Sequence, residues 1–287
     1  MDLHGRTVVL TGATGGIGQL LCAGLVEAGA RVVAVGRDAS RLAALVDGMA
    51  PGAVIAVAAD IGSEAGRQLL LQRVALLPAP PSVLIIGHAS ASFGLFTDQS
   101  EAALAQLMQT NLIGSLLLIR SLLPLLEQQP SARVAVVGST FGSLAFPGFA
   151  AYSASKFGLR GLVEALGREY AGSNVSFQHL SPRATRTAFN SAAVDAMNAE
   201  LGVTHDTAEQ VAAALLRALR TDTRRVQLGW PERLFARLNG LLPELVDRSL
   251  RKQLPIVKRH AIAGHRAAAS SSSVDTHKDT SHEAHAG

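Results

Sequence analysis

Tyr152 and Lys156 lie four positions apart in the segment Tyr152-Ser153-Ala154-Ser155-Lys156, whose composition predicts a helix. Because a helix brings residues four apart onto one face, the phenol and the ammonium group are expected to lie side by side. A nearby ammonium charge favours the phenolate, so we expect the pKa of Tyr152 to fall toward the working pH. The pair therefore predicts a proton donor and acceptor, although the same spacing also arises by chance on surface helices.

Two further polar residues fall where such chemistry would need them. Ser139 follows the apolar run 133–138, so we expect it at the carboxyl edge of a parallel sheet, where ligands bind in open α/β folds. Asn111 interrupts a long apolar helical pattern from about 101 to 127. Taken singly, Asn111 is also explained as a hydrogen-bonded packing amide and Ser139 as a turn residue. Together with Tyr152 and Lys156 they predict a site that places and protonates a carbonyl oxygen.

A glycine-rich loop near the N-terminus, with the spacing Gly12-x-x-x-Gly16-x-Gly18, predicts a nucleotide site. The apolar run 6–10 before it indicates a strand, and the periodic pattern after it indicates a helix. Glycines let the backbone approach a pyrophosphate, and the helix N-terminus supplies free N–H groups. A simple tight turn is the alternative. The predicted cofactor contacts in this loop are Thr11, Gly12, Thr14, Gly15, Gly16, Ile17 and Gly18.

Arg37 determines the predicted choice of cofactor. The run 31–35 predicts the second strand, which ends at Gly36 rather than at an acid that would bind a ribose 2′-hydroxyl. The arginine that follows can pair with a 2′-phosphate, so the sequence predicts NADP(H). Alternatively, Arg37 is a solvated loop charge and Asp38 caps the next helix, at about 40–49.

These motifs, in this order and spacing, resemble those of the short-chain dehydrogenase/reductase family over about residues 5–230. The resemblance implies that Tyr152 is the general acid/base, that Lys156 lowers its pKa and holds the nicotinamide ribose, and that Ser139 binds the substrate carbonyl. It also implies that Asn111 holds a water in a proton relay from Lys156 to solvent, and that Asp60 contacts the adenine ring. The remaining implied cofactor contacts are Ile61, Ala89, Pro182, Thr185 and Thr187.

Two stretches depart from the family pattern. Residues 87–90 are Gly-His-Ala-Ser where the family usually has Asn-Asn-Ala-Gly, which predicts a change in local stability and cofactor affinity. His88 is interpreted as a packed, hydrogen-bonded residue, with a catalytic base as the less favoured alternative. Arg183 replaces the usual glycine after Pro182; it restricts the backbone and brings a positive group near the cofactor or the substrate.

The rest of the sequence indicates how these residues are positioned. The chain has 287 residues, of which 48% are hydrophobic, enough for one large α/β domain. Alternation of strands and helices predicts a Rossmann-type, doubly wound parallel sheet in a three-layer α/β/α domain over residues 1–229. The predicted strands are at 7–11, 31–35, 53–58, 83–86, 133–138, 174–180 and 225–229.

The composition indicates the cellular compartment and the classes of partner to expect. The single cysteine, Cys22, is expected to be a buried small hydrophobe, and it leaves no intrachain disulfide, which suits a reducing cytoplasm. The first strand leaves no room for a leader, and the stretch 112–126, broken by Arg120 and Pro124, is too short to span a bilayer. We therefore expect a cytoplasmic protein, with peripheral contact at the inner membrane face as an open possibility. The net charge of +4 suggests acidic partners only weakly; neither nucleic acid nor a metal site is predicted.

Residues 230–266 form a second predicted unit, a basic amphipathic pair of helices at about 232–242 and 244–254. Three interpretations stay open: a lid that packs on the core with a solvated basic face, a peripheral membrane contact, and a dock for an acyl carrier. Residues 267–287 lack the apolar side chains that would offset ordering entropy, so we predict a disordered tail. Its histidines, His277, His282 and His285, are too loosely spaced to predict a metal site.

The sequence therefore predicts an NADP(H)-dependent oxidoreductase that interconverts a carbonyl and a secondary alcohol. The apolar residues of 188–197 lie where the family places its substrate loop, which favours a lipid, acyl, steroid or polyketide-like substrate. A catalytically idle NADP-binding regulatory or assembly protein is the alternative. The apolar runs 104–126 and 152–170 would allow the homo-oligomer, dimer or tetramer, that is common in the family.

Overall fold

The computed structural model describes the backbone of residues 1–279 and the side chains of residues 1–267. Its strands are β1 Thr7–Thr11, β2 Arg31–Gly36, β3 Val54–Ala58, β4 Val83–Ile86, β5 Ala132–Val137, β6 Val175–Ser181 and β7 Arg225–Gln227. All neighbours pair in parallel, in the order β3-β2-β1-β4-β5-β6-β7. The predicted strands are therefore confirmed to within a residue or two at each end.

Helices cover both faces of this sheet and complete a three-layer α/β/α domain, which confirms the predicted Rossmann-type fold. Their bounds are α1 Gly16–Glu27, α2 Ala39–Asp47, α3 Glu64–Ala75, α4 Glu101–Met108, α5 Gly114–Glu127, α6 Ala150–Glu169, α7 Ala192–Glu200, α8 Ala208–Arg220, α9 Trp230–Leu241 and α10 Pro243–Asp279. A π-helical turn, Gln109–Ile113, joins α4 to α5.

Side-chain caps determine where several helices begin. The Asp38 carboxylate accepts a hydrogen bond from the Arg41 N–H and begins α2. Thr207 and Gln210 form a reciprocal capping box at the start of α8. Asp38 is thus the N-cap that the alternative interpretation of this junction predicts.

The sheet separates two apolar cores. Because successive side chains of a strand point to opposite faces, Val8 and Leu10 of β1 pack with Leu25 of α1, whereas Val9 packs with Leu118 of α5. Cys22 lies fully buried in the first core, and burial raises the pKa of its thiol to about 11. The cysteine is therefore the small buried hydrophobe that the sequence predicts.

The continuous helical span Glu101–Glu127 is long and apolar enough, by length and composition alone, to cross a membrane. It is longer than the stretch 112–126 that the sequence singles out. In this fold, however, Leu118, Ile119 and Leu122 are buried against the sheet. The span therefore serves as a core helix that places the π-helical turn beside β4.

The C-terminal helices pack on the rest of the domain. Val257 and Ala261 of α10 are buried, and α10 lies against α7. The backbone of α10 is helical to Asp279, so the structure differs from the predicted disordered tail over residues 267–279. Residues 280–287, including His282 and His285, lie outside the described residues. The division of the chain at 229 and 266 stays a prediction.

Candidate functional site

A crevice of about 720 Å³ opens at the carboxyl edge of the sheet, where the strand order reverses between β1 and β4. Open α/β sheets bind ligands at this reversal. Three of the four predicted catalytic residues, Ser139, Tyr152 and Lys156, line the crevice together, and Asn111 lies behind it. The structure thus brings together a serine from the end of β5 and a tyrosine and lysine from α6.

Tyr152 lies in the first turn of α6 and is 8% exposed. Burial raises the pKa of its phenol to about 12, and the opposing interaction with the Ser139 hydroxyl has the smaller effect. The ammonium nitrogen of Lys156 lies 5.7 Å from the centroid of the Tyr152 ring. The expectation of a lowered pKa is therefore wrong for the structure, because burial disfavours the charged phenolate. The phenol keeps its proton at neutral pH, as a proton donor requires.

Lys156 is the largest fully buried side chain of the described residues. Burial lowers the pKa of its ammonium group to about 8. Its Nζ donates one hydrogen bond, to the Val137 carbonyl at 3.2 Å. An ammonium group has three N–H donors, so two remain for oxygen acceptors in the crevice. Ribose hydroxyls are acceptors of the required kind.

Ser139 directly follows the turn at the end of β5 and begins a short 3₁₀ helix, Thr140–Gly142. Its Oγ accepts a hydrogen bond from the Phe141 N–H at 3.1 Å. Because the acceptor side of the hydroxyl is used, its own hydrogen is directed elsewhere and can be donated to a substrate oxygen. This geometry suits the predicted contact with a carbonyl.

Asn111 sits in the π-helical turn and has no exposed surface. Its Oδ1 accepts from the Ser90 N–H at 2.7 Å, and its Nδ2 donates to the Ser90 carbonyl at 3.0 Å and to the Ser155 hydroxyl at 3.2 Å. The side chain therefore fixes the loop after β4 against α6, as the packing-amide alternative predicts. The water relay that the resemblance implies stays a prediction.

His88 replaces an asparagine of the family pattern, and it too is fully engaged. Its Nε2 lies 3.1 Å from the Thr110 carbonyl, which can only accept, so Nε2 holds the hydrogen. Its Nδ1 lies 2.8 Å from the Thr11 hydroxyl oxygen. Burial lowers the pKa of His88 to about 4, so the ring is neutral. His88 is the packed residue that the sequence predicts, and it ties β1 to the π-helical turn.

Thr11 is a predicted cofactor contact that the structure places elsewhere. It is fully buried, and its hydroxyl contacts the Ile85 carbonyl, the Gly87 N–H and His88. Those partners turn it toward β4 rather than toward the crevice. The prediction of a cofactor contact at Thr11 is therefore corrected to a role in holding β1 against β4.

The rest of the glycine-rich loop lines the crevice and fits a pyrophosphate. Gly12 has φ of +70°, and a Cβ there would lie 2.7 Å from the His88 backbone nitrogen. A Cβ on Gly18 would lie 2.1 Å from the Gly12 carbonyl oxygen. No side chain caps α1, so its first-turn N–H groups remain for an anion. The other loop residues in the crevice wall are Thr14, Gly15, Gly16 and Ile17.

Two arginines lie at the end of β2. Arg37 lines the crevice and makes no hydrogen bond or ion pair within the described residues, whereas Arg41 donates to the Thr14 carbonyl at 2.6 Å. Asp38, between them, is turned back to cap α2 and does not line the crevice. Sequence reasoning identified Arg37 and missed Arg41, although its position one helical turn later was the available signal.

Asp60 follows β3 and uses one carboxylate oxygen locally, since its Oδ1 accepts from the Gly62 N–H at 2.9 Å. The second oxygen remains for a donor such as an exocyclic amino group of a base. The other residues implied by the resemblance also line the crevice: Ile61, Ala89, Pro182, Thr185 and Thr187.

The opposite half of the crevice is apolar. Phe141 stacks on Phe146 with ring centroids 5.3 Å apart, and Phe149 meets the Tyr152 ring at 6.3 Å. Side chains from the substrate loop, α7 and the C-terminal helices complete this wall. They are Leu144, Ala188, Phe189, Val194, Met197, Phe235, Val246 and Leu250. Sequence reasoning located the substrate loop but missed the phenylalanines after Ser139 and the contribution of α9 and α10.

Arg183 lies at the border of the two halves. Its guanidinium bonds to Asp206 at 2.6 Å and lies 3.7 Å from a Glu232 oxygen of α9. Gly229 has φ of +82°, and a Cβ there would lie 2.0 Å from the same Glu232 oxygen. The positive group that the sequence predicts is thus neutralised by two carboxylates. It links the loop after β6 to α9.

The family model described as short chain dehydrogenase matches residues 6–198. A Pseudomonas aeruginosa protein named rhamnolipids biosynthesis 3-oxoacyl-[acyl-carrier-protein] reductase is 35% identical over 188 residues, which are 63% of this chain and 73% of the relative. A ketoacyl reductase of Nostoc is 32% identical over 63% of each chain. A Bos taurus 3-ketodihydrosphingosine reductase is 29% identical over 61% of this chain and 55% of the relative. The chain thus spans less than two thirds of the length of the last two relatives.

Solved structures agree with this result. A short-chain dehydrogenase from Streptomyces avermitilis superposes with a TM-score of 0.73 at 26% identity, over 86% of this chain and 98% of the other. A Burkholderia cenocepacia short chain dehydrogenase in complex with NADP gives 0.74 at 22% identity, over 87% and 99%. At 22% identity, the similarity to the Burkholderia cenocepacia structure shows a shared fold alone. This chain belongs to the short-chain dehydrogenase/reductase family and is an oxidoreductase of that family.

Proposed function

We propose that the protein uses NADPH to reduce a ketone on an apolar, acyl-like substrate to a secondary alcohol. The observation that carries this proposal is the shared crevice: Ser139, Tyr152 and Lys156 line it at the boundary between a glycine-rich nucleotide half and a phenylalanine-rich half. Hydride transfer to a carbonyl needs these two binding surfaces on either side of a proton donor.

The residues divide the proton chemistry between them. When bound, NADPH supplies the hydride that reaches the carbonyl carbon. The hydroxyls of Ser139 and Tyr152 donate to the carbonyl oxygen and oppose the negative charge that develops there. Since burial keeps the phenol protonated, Tyr152 can then transfer its proton to the alkoxide. The ammonium group of Lys156, 5.7 Å from the ring centroid, stabilises the phenolate that is left.

The preference for NADP(H) is supported by the end of β2. Arg37 is free of other hydrogen bonds and ion pairs among the described residues, and Arg41 lines the crevice beside it. The acid of this junction, Asp38, is used as a helix cap. Two cations, with the acid of this junction turned away from the crevice, suit a 2′-phosphate better than a 2′-hydroxyl.

The substrate class is supported by the relatives and by the apolar half of the crevice. The names of three relatives specify 3-oxoacyl, ketoacyl and 3-ketodihydrosphingosine groups, each a ketone on an acyl-type chain. A crevice wall of phenylalanine, leucine and valine side chains suits such a chain. We include an acyl group presented on a carrier protein among the proposed substrates.

We also propose a homo-oligomer formed through α5 and α6. Ile113, Leu116 and Phe157 are large apolar side chains that remain 42%, 39% and 39% exposed on this side of the monomer. Burial against a second copy would remove them from water. Sedimentation equilibrium of the full chain tests this assignment, and a monomer at micromolar concentration would contradict it.

The test of function is NADPH oxidation against short-chain and long-chain 3-oxoacyl thioesters and a small cyclic ketone. The matched variants are Tyr152→Phe and Tyr170→Phe, since Tyr170 is the second tyrosine of the chain and bonds to Glu127 away from the crevice. We expect kcat/KM to fall about a thousandfold in Tyr152→Phe and to be nearly unchanged in Tyr170→Phe. Absence of turnover on every ketone would favour the catalytically idle alternative.

A further inference from the structure

The hairpin of α9 and the start of α10, residues 230–252, exposes an unusual amount of apolar surface. Six large apolar side chains remain open to water: Trp230 at 72%, Leu234 at 42%, Phe235 at 41%, Leu241 at 78%, Leu242 at 53% and Leu245 at 54%. No residue of α9 is fully buried. Exposed apolar side chains gathered in one short segment mark a binding site more often than an ordinary surface.

Three of these side chains form an outward stripe on α9, and Leu242 and Leu245 follow them at its C-cap and in α10. With about 100° per residue, Trp230, Leu234 and Leu241 fall within about 40° of one another around α9. The opposite face of the helix holds Glu232, which approaches Arg183, and Phe235, which lines the crevice. Packing on the domain therefore uses the inner face, and it gives no reason for the apolar outer stripe.

Basic side chains lie on this face and beside it, and Arg237 falls about 20° from Trp230 around α9. Arg233, Arg237, Arg248, Arg251 and Lys252 are all exposed, and none of them takes part in an ion pair within the described residues. The hairpin contains five Lys/Arg and three Asp/Glu, a net charge of +2, and residues 253–266 add three more Lys/Arg. Basic side chains thus outnumber acidic ones in the segment that exposes these apolar side chains.

We propose that this hairpin docks on the surface of a lipid bilayer that contains anionic lipids. Apolar side chains with a tryptophan at one end suit the interfacial layer, and flanking arginines suit anionic headgroups. In a twofold dimer the two basic hairpins would meet across the interface, and their like charges would oppose association. An acidic protein would pair the arginines, but it would also need an apolar surface of its own to cover the exposed apolar side chains.

The crevice lies on the other side of the same helices. Phe235, Val246 and Leu250 line it, so a docked hairpin would hold its apolar half close to the lipid. The docking inference stands on the hairpin alone and does not depend on the proposed activity. Membrane binding and NADPH oxidation can therefore fail independently in the experiments below.

The chain itself contains the probe for a test, because Trp230 is its single tryptophan. Full-length protein is mixed with vesicles of phosphatidylcholine, or of phosphatidylcholine with phosphatidylglycerol, and both emission and co-sedimentation are measured. We expect a blue shift of Trp230 emission and sedimentation with the anionic vesicles, both weakening as salt rises. Phosphatidylcholine alone should give a much smaller response.

Two sets of substitutions test the apolar and the basic side chains of the hairpin separately. Leu241→Gln with Leu242→Gln and Leu245→Gln should weaken partitioning about tenfold or more. Leu76→Gln is the matched control, since Leu76, at the C-cap of α3, is also 78% exposed. None of these residues lines the crevice, so NADPH oxidation with a water-soluble ketone should be unchanged.

Arg237→Gln with Arg248→Gln should remove the preference for anionic vesicles, whereas Arg31→Gln at the exposed start of β2 should keep it. The proposal is overturned if the full chain neither sediments nor shifts its emission with anionic vesicles. Equal binding by the triple leucine variant would also overturn it. So would a blue shift that appears without vesicles and rises with protein concentration, because a second copy would then cover the stripe.

Discussion

The two halves of the crevice are built from different kinds of groups. In the nucleotide half, backbone N–H groups, glycines and a few polar side chains from adjacent strand ends form the wall. In the other half, apolar side chains come from the loop after β5, the substrate loop, α7, α9 and α10. The first is fixed by the sheet, and the second is assembled from separate segments that pack on one another.

This difference separates chemistry from selectivity. Changes in the nucleotide half and at its border with the apolar half should alter rate and cofactor choice on every substrate. Changes in the apolar half should act mainly on KM and on particular substrates. The predictions below test that division, beginning with the largest expected effect.

Lys156→Met should lower kcat about a thousandfold while the protein stays folded. The pKa of Lys156 lies at about 8 in the structure and 10.5 in an unfolded chain, so charged burial opposes folding at neutral pH. Removing that charge should leave the free energy of unfolding unchanged or higher. Urea unfolding and NADPH oxidation at pH 7 measure the two quantities. Loss of activity with loss of folding would contradict a chemical role.

His88 should make the protein sensitive to acid. Its pKa is about 4 when folded and 6.5 when unfolded, so the unfolded chain binds more protons between these values. Stability is therefore complete above pH 6.5 and falls as the pH drops toward 4, by up to about 3 kcal/mol for this group.

His88→Asn, which restores the residue usual in the family, should flatten that pH dependence. The pKa of His179 is also lowered to about 4 by burial. His179 is unchanged in this variant, so part of the dependence of stability on pH should remain. Urea midpoints measured from pH 7 to pH 4.5 in both proteins check this expectation. Parallel curves would show that His88 is not the group responsible.

Arg37→Ala with Arg41→Ala should reduce the ratio of kcat/KM for NADPH over NADH by about ten- to a hundredfold. The loss should come from NADPH, since the 2′-phosphate is the group that the arginines would bind. Arg73→Ala, on α3, serves as the control substitution. An unchanged ratio would refute the assignment of these arginines.

Arg183→Ala should have the smallest effect, a severalfold change in KM for long substrates with kcat nearly constant. The substitution removes the contacts to Asp206 and Glu232 and so loosens α9 against the substrate loop. Arg186→Ala, at an exposed position three residues on, is the control. A large fall in kcat for every ketone would instead place Arg183 in the chemical step.

The nucleotide half was largely predictable from the sequence because its residues follow predicted strands at once. Gly12, Asp60 and Ser139 are each within two residues of a strand end, and parallel strands bring their ends together. Thr11 was the exception, since the sequence does not show that its hydroxyl is turned toward β4.

The apolar half could not be predicted in the same way. Phe141 and Phe235 are 94 positions apart, and only the packing of α9 and α10 brings both to one wall. The pKa of Tyr152 was mispredicted for a related reason: spacing shows which charges are near, but it does not show the depth of burial. The ion pair of Arg183 depends likewise on Glu232, 49 positions away.

The most direct test of the account follows a labelled hydride. NADPH deuterated at C4 of the dihydronicotinamide is incubated with the enzyme and a long-chain 3-oxoacyl thioester, and the product is analysed by mass spectrometry. We predict one deuterium on the carbinol carbon with the wild-type protein and with Tyr170→Phe, and about a thousandfold slower formation with Tyr152→Phe. Unlabelled alcohol, or equal rates in the two tyrosine variants, would contradict the central claim.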